Sequence, residues 1–492
     1  MSSDFKQVLK NSAVAGIGNI LGKAAAFIMV PVYTTYLTPQ EYGIAELLDL
    51  TSVIIGLVVG FGISAATIRF YFEYQDRSAR DTVVSTAVLT STAVMLATVA
   101  PLTFFSEDIS RLVFKTPEYH AYVTLSLWNL LLSATIEIPL ALLRAQQRIV
   151  LFTGISIARL VSSLGLNILF VVYFDWKIWG LLYSTFITTA SIGLFLSVRT
   201  LWLVGCRFSP RILKAMLAYG LPYVPETMGM FTLHFADHFF LQVYGSMEQV
   251  GIYSLAYKFG MVPHVLFSST FWVVWSAKRF ELIGRPGSEA IYGRVLTYFV
   301  YCQLLLGLAF SLLAPHILQL VAARPFHAAA RLIPVIVLSY LVFGTYYLLQ
   351  TGICIQKQTK YLGLILLVTA CLNLVLNYLL IPRLLSLGAA LATLLSFVTM
   401  AVAAYVISDR LLPLPYEFGR LAKLFLVALS LYAVGYTLPT LPLPYAVPLK
   451  LLLAGAFPVA LLPFRFYTPD EAHVLRMLTL ALLTRLSLPA AR

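Results

Sequence analysis

Charge is scarce in this chain. Only 11% of its 492 residues are Asp, Glu, Lys or Arg, while 60% are hydrophobic. Soluble domains carry about 25% charged residues, so a soluble globular protein is excluded and a multi-spanning membrane protein is expected. Cysteine is rarer still. Cys206, Cys302, Cys354 and Cys371 show no CxxC or Cys/His ligand spacing, so they read as packing residues rather than metal ligands. Catalytic signatures are missing too: there is no Walker loop, HExxH, GxSxG or loop-borne carboxylate pair. That argues against a self-contained ATP-driven pump and against a membrane active site, so the chain is not expected to be an enzyme. The net charge of +13 forms no dense basic patch with interleaved aromatics, and a nucleic-acid partner is not expected.

What is abundant is the long apolar run. Runs near twenty residues recur near 11–36, 41–68, 82–105, 118–142, 149–174 and 178–203. A second set lies near 212–243, 249–276, 293–315, 327–350, 357–381 and 386–408, and a final pair near 418–438 and 445–465. The expected fold is therefore an all-α integral membrane protein with about 14 transmembrane helices. The polar start, Met1 to Lys10, leads directly into a spanning run, so no cleavable signal is expected.

The basic residues test this count. With the N-terminus placed in the cytoplasm, most of the 34 Lys and Arg fall in alternate, cytoplasmic connections. The opposite side receives only Arg111, Lys115, Lys177, Arg324, Arg331, Arg383 and Lys450, and three cations (Lys23, Arg159 and Lys258) remain inside spans. That alternation follows the positive-inside rule and puts both termini in the cytoplasm.

A shift of 208 residues places Tyr36, Thr38, Gly43 and Ile44 on Tyr244, Ser246, Gly251 and Ile252, and sets Gly180 on Gly388. Two six-helix lobes of like orientation follow, residues 1–208 and 209–410, in a parallel repeat about an axis along the membrane normal. Residues 411–470 add two helices, and 471–492 form a cytoplasmic tail. Two such lobes around a cavity make a transporter.

Ionisable groups at bilayer depth mark where such a cavity would do its work, because a charge facing lipid is costly. Glu226, His234, Asp237 and His238 fall within roughly 120° of one helical face, so they face a protein interior or a water-filled cavity. Polar stripes elsewhere carry Lys23; Glu46 and Asp49; Glu137 and Arg144; Arg159 and Asn167; and Asn373 with Asn377. Each has a structural alternative. Arg69 and Arg144 suit helix anchoring, Glu46 suits the interface, and the asparagines suit interhelical hydrogen bonding. A Lys–Asp or Arg–Glu structural pair competes for the deep charges. Arg and Lys in a cavity would suit a phosphate-bearing substrate, and the carboxylates and histidines would suit coupling to H+ or Na+. No other cofactor is expected.

Pro31-Val-Tyr-Thr-Thr-Tyr-Leu-Thr-Pro-Gln-Glu-Tyr-Gly-Ile44 resembles the first-hairpin pattern of the bacterial polysaccharide transporter, or oligosaccharide flippase, family of the multidrug/oligosaccharidyl-lipid/polysaccharide exporter superfamily. Ala236 to Leu241, followed by Val250-Gly-Ile-Tyr-Ser-Leu-Ala-Tyr-Lys-Phe259, is similar to that family's seventh- and eighth-span signature, with His238 where Arg is usual. The resemblance implies alternating access. It also implies translocation of undecaprenyl-diphosphate-linked oligosaccharide across the bacterial inner membrane, from the cytoplasmic to the periplasmic leaflet, for O-antigen, exopolysaccharide or capsule assembly. Lys23, Arg69, Arg159 and Lys258 would then meet the substrate headgroup, and Asp237, Glu226, His234 and His238 would serve coupling. Membrane lipid and polymerase or export machinery would be partners, and a monomer suffices for the fold. The alternative is an ion-coupled multidrug extruder of the same superfamily.

Overall fold

A computed structural model describes residues 27–438, 442–469 and 471. Lys23 and the tail beyond residue 471 lie outside the described residues, as does most of the first span. The described chain is helical, with no strand. Helices α1 (Phe27–Tyr36), α2 (Pro39–Val59), α3 (Ile63–Glu73), α4 (Arg77–Phe104), α5 (Ser106–Phe114), α6 (His120–Ala145) and α7 (Ile149–Asn167) come first, and a π-helical segment Ile168–Tyr173 extends α7. Then follow α8 (Lys177–Val204), α9 (Pro210–Gly220), α10 (Tyr223–Tyr244), α11 (Met247–Gly260), α12 (Val262–Glu281) and α13 (Ser288–Val321). The last are α14 (Ile333–Leu349), α15 (Thr351–Ile355), α16 (Lys360–Leu384), α17 (Ser386–Leu411), α18 (Phe418–Thr437), α19 (Leu443–Gly455) and α20 (Phe457–Ala460).

Ten helices among the described residues are long and apolar enough to cross a membrane. Four of the runs read from the sequence as continuous are broken, the fourteenth at Ala456 between α19 and α20. The second stops at Gly60–Gly62, where Phe61 (φ 46°) and Gly62 (φ 63°) adopt left-handed backbone that no helix continues. The seventh divides into α9 and α10 around Leu221–Pro222, and the eighth into α11 and α12 at Met261, just before Pro263. Proline lacks the N–H that an unbroken helix would donate, which explains why both breaks sit beside one.

By contact density the chain divides into two compact units. One runs up to Ala256 and adds Leu318–Leu332 and Gly363–Ser396; the other holds Tyr257–Ile317, Ile333–Leu362 and the chain from Phe397 onward. The first unit takes residues from both halves of the repeat, so compactness and repeat divide the chain differently. In that unit, α6 and α8 pack through small residues. Gly193 would bring a Cβ to 2.9 Å from the Ile136 side chain, and Ser197 Oγ donates to the Thr135 carbonyl at 2.6 Å. Lipid-embedded helices gain nothing from expelling water, so close backbone approach and such hydrogen bonds hold them together. In the second unit, Phe343 lies 4.8 Å from Phe397 between ring centres, and Tyr340 donates to the Tyr257 hydroxyl at 2.7 Å.

The repeat is visible in the local chemistry. Thr38 caps α2 in a capping box with Glu41. Its counterpart Ser246 accepts from the Gln249 N–H at 3.3 Å, and Gln249 stands 208 residues after Glu41. Each cap satisfies an N–H that the first turn leaves without a helical partner. The matched glycines Gly43 and Gly251 then touch each other: a Cβ on Gly43 would lie 2.9 Å from the Gly251 nitrogen. Residues that pack on their own repeat mates lie at the axis relating the repeats. Gly180 and Gly388 also share one role. A Cβ there would lie 3.1 Å from the Phe170 carbonyl carbon and 2.7 Å from that of Leu380, respectively, at the end of the preceding helix.

Candidate functional site

Asp237 is the centre of a buried polar cluster in the first unit. It lies on α10, only 1% exposed, and its Oδ2 accepts from the Tyr253 hydroxyl at 2.5 Å and from Thr393 Oγ1 at 3.1 Å. His238 Nδ1 lies 2.8 Å from Oδ1 and supplies a third donor. Its ring meets Tyr253 edge-on at 5.1 Å. A carboxylate taken out of water needs such donors, and hydrogen bonds to an ionised acceptor are roughly twice as strong as neutral ones. Asp237 and His238 therefore sit in the protein interior, not on the wall of a water-filled cavity.

The rest of the α10 stripe separates. His234 is half-buried, and Glu226, in the first turn of α10, is exposed. Shared angular position does not confer a shared environment, because the neighbours of α10 change along its length. Glu226 belongs instead to a surface group with Tyr223, Tyr219 and Arg69. The Arg69 guanidinium lies 4.4 Å from the Tyr219 ring centre, and the Tyr219 and Tyr223 hydroxyls are 3.1 Å apart. Arg69 also pairs with Glu73 at 3.8 Å, with both side chains about half exposed. An exposed ion pair of this kind contributes little to stability, which leaves the Arg69 donors accessible.

A second constellation joins α6 and α7. Glu137 is exposed although its neighbours Ile136 and Ile138 are buried. Arg144 and Arg159 both lie within electrostatic range of its carboxylate, yet no ion pair of 4 Å or less joins the three among the described residues. Arg144 is exposed and sits 5.7 Å from the Phe152 ring centre. A tight Arg159–Glu137 structural pair, the competing reading of these charges, is thus not formed.

Asn373 ties α16 to α17, whereas Asn167 and Asn377 bond within their own helices. Asn373 donates to Ser396 Oγ at 3.1 Å and accepts from Asn377 at 2.9 Å, all buried. Asn167 donates back to the Ser163 carbonyl at 2.9 Å. Lys258, in the second unit, is the one exposed residue in the otherwise buried stretch Tyr253–Gly260. On α2, Glu46 is half-buried and Asp49 exposed; like Lys258 and His234, both have interaction partners. His264 packs against Tyr340 and Phe343, at 5.3 and 5.7 Å between ring centres.

Three participants were missed in the sequence. Tyr253 and Thr393 complete the Asp237 cluster from 16 and 156 residues away; the i, i+16 step crosses a helix break, and Thr393 carries no local signal at all. Arg279, read only as a cytoplasmic cation, is buried in the second unit between Trp272 (4.9 Å) and Phe280 (4.7 Å), with Nε and Nη1 unpartnered. A Trp seven residues before an Arg, on one helical face, is the signal that was available. Among the described residues, no group of His, Cys, Asp and Glu could hold a metal ion.

Several solved structures share the fold. The lipid II flippase MurJ in an inward closed conformation superposes with a TM-score of 0.72 at 15% identity, covering 93% of this chain and 99% of that one. An inward-facing multidrug resistance MATE family transporter of the MOP superfamily gives 0.59 at 16% identity, covering 79% and 94%. A point mutant of the Vibrio cholerae MATE transporter VcmN gives 0.53 at 15% identity, covering 82% and 96%. No curated protein matches the sequence. Residues 8–275, more than half of the chain, match the family described as polysaccharide biosynthesis protein, and the chain belongs to that family.

Proposed function

We propose that this protein is a flippase that carries a polyprenyl-diphosphate-linked oligosaccharide from the cytoplasmic to the outer leaflet of a bacterial inner membrane by alternating access, for O-antigen, exopolysaccharide or capsule assembly. One observation carries the reading: Arg159 and Arg144 share a single carboxylate, Glu137, and no ion pair of 4 Å or less joins the three among the described residues. Two guanidiniums beside one carboxylate leave an excess positive charge in the spans, and a diphosphate would neutralise it bidentately. In this reading Arg69 extends the same attraction on the first unit, and Lys23 and Lys258 are further candidate cations taken from the sequence. The buried Asp237, held by Tyr253, Thr393 and His238, is the group whose occupancy by H+ or Na+ biases the inward–outward equilibrium. A ligand shifts such an equilibrium only through its differential affinity for the two states.

Depletion should therefore accumulate lipid-linked oligosaccharide in the cytoplasmic leaflet and remove surface polymer, and wild-type but not Arg159→Ala protein should restore it. Unchanged precursor with intact polymer would sink the proposal. The second reading, an ion-coupled multidrug extruder, draws on the same fold and on the buried acidic Asp237. It requires that overexpression raise resistance to organic cations while precursor levels stay unchanged.

A further inference from the structure

On the first unit, at the end that the charge distribution assigns to the non-cytoplasmic side, lies an open cavity of about 820 Å³. Its walls are rings: Tyr122 and Trp179 are 4.7 Å apart between centres, Trp179 stacks on Tyr183 at 5.6 Å, and Trp176 stacks on Phe170 at 5.0 Å. Across its floor Lys177 Nζ pairs with Glu41 Oε1 at 3.1 Å, while Glu41 Oε2 is held by the Thr38 cap of α2. Trp176 remains 45% exposed. The residues on either side of it, Asp175 (φ 53°) and Lys177 (φ 49°), are both held in left-handed backbone. Strain of that kind costs on the order of 1 kcal/mol or more per residue and persists where the surroundings impose it, typically at ligand sites.

Aromatics at a membrane interface are ordinarily anchors, each turned toward the headgroups. These rings instead wall a cavity together with a fixed carboxylate and ammonium. Flat rings offer a negative π face to the weakly positive C–H face of a pyranose, and Glu41 and Lys177 accept from and donate to its hydroxyls. Asp175 also lines the cavity and adds a second carboxylate as an acceptor for hydroxyls. From this geometry we infer a saccharide-binding site, lined by Glu41, Tyr122, Trp176, Lys177, Trp179 and Tyr183, that receives the glycan part of the substrate on the non-cytoplasmic side. It deepens the flippase reading and rests on it.

The platform recognises the pyranose ring rather than one sugar, so neutral probes suffice. Purified protein in lipid nanodiscs is titrated with maltotriose and chitotriose and read by tryptophan fluorescence, since two of the six tryptophans line the cavity. A saturable change at roughly millimolar concentration is expected. Trp179→Ala and Tyr183→Ala should each weaken binding about tenfold, while Trp179→Phe should retain it and Trp202→Phe, outside the cavity, should leave it unchanged. Tyr183→Ala keeps the test open if Trp179→Ala fails to fold. No saturable change, or a change that survives both alanine variants, overturns the site and identifies the rings as anchors only. Translocation is scored separately by precursor accumulation. Lost binding with intact translocation removes this site alone, whereas failed translocation with sugar binding intact removes the flippase reading.

Discussion

Gly251→Ala is a direct test of the contact between repeat mates. A Cβ at Gly251 would lie 2.8 Å from the Pro39 carbonyl carbon, closer still to its oxygen, and 3.0 Å from the Gly43 nitrogen. Carbon atoms are comfortable at about 3.5–4.0 Å, so α2 and α11 must separate by at least ~0.7 Å. The obstructing atoms are backbone, and no side-chain rotation relieves them. The start of α2 is further pinned by the Thr38–Glu41 box and the Lys177 pair. Overpacking of this kind costs about 1–3 kcal/mol, and the backbone obstruction places Gly251→Ala in the upper part of that range. The comparison is Gly165→Ala on α7, where a Cβ meets nothing within 4 Å and alanine gains roughly 0.5–1 kcal/mol of helix propensity. Thermal unfolding in detergent, followed by size-exclusion chromatography, should show Gly251→Ala losing monodisperse protein well below wild type and Gly165→Ala at or above it. Equal stability of the two variants would refute the close approach at the repeat axis.

Further outcomes follow from the buried clusters. Asp237→Asn should abolish polymer production while membrane insertion and yield stay normal, measured by complementation and immunoblot; normal synthesis would remove Asp237 from the coupling role. Tyr253→Phe deletes one donor to a buried carboxylate and should lower stability by roughly 1.5–3 kcal/mol, read as an earlier unfolding transition. Asn373→Ala breaks the link to Ser396 and Asn377 and should reduce stability by about 1–3 kcal/mol, with activity falling only as far as protein level does; a loss of activity at unchanged level would make Asn373 a ligand contact instead. Burial pushes the Glu471 carboxyl up, but hydrogen bonds from Tyr298, the Thr468 N–H and Arg420 outweigh that and hold it below its ordinary value. A depressed folded pKa contributes stability present above the unfolded value, near 4.3, and lost as pH falls through the lower folded one. Protease cleavage near Thr468 should accordingly stay slow above about pH 4.5 and accelerate under more acidic conditions.

Membrane class and the all-helical fold were legible in the sequence because the length of an apolar run is a local quantity. A run of twenty apolar residues answers to bilayer thickness, whatever packs against it. The cap signals Thr38–Glu41 and Ser246–Gln249 likewise act within one helical turn. The breaks in the second, seventh and eighth runs were marked only by Gly62, Pro222 and Pro263, residues that a hydropathy run passes over.

The candidate site was legible as a set of costly charges and not as an arrangement. An Asp in a span must find donors, but nothing near position 237 says that Thr393 is one of them. Helical periodicity put Glu226, His234, Asp237 and His238 on one face; the structure leaves the first exposed and buries the last two, since burial depends on which helix crosses at each level. By itself, then, the sequence determined that the chain is an all-helical, multi-pass membrane protein. Which glycines touch, which carboxylate is enclosed and which rings enclose a cavity were decided only by the tertiary structure, because those contacts join residues that the chain separates by tens to hundreds of positions.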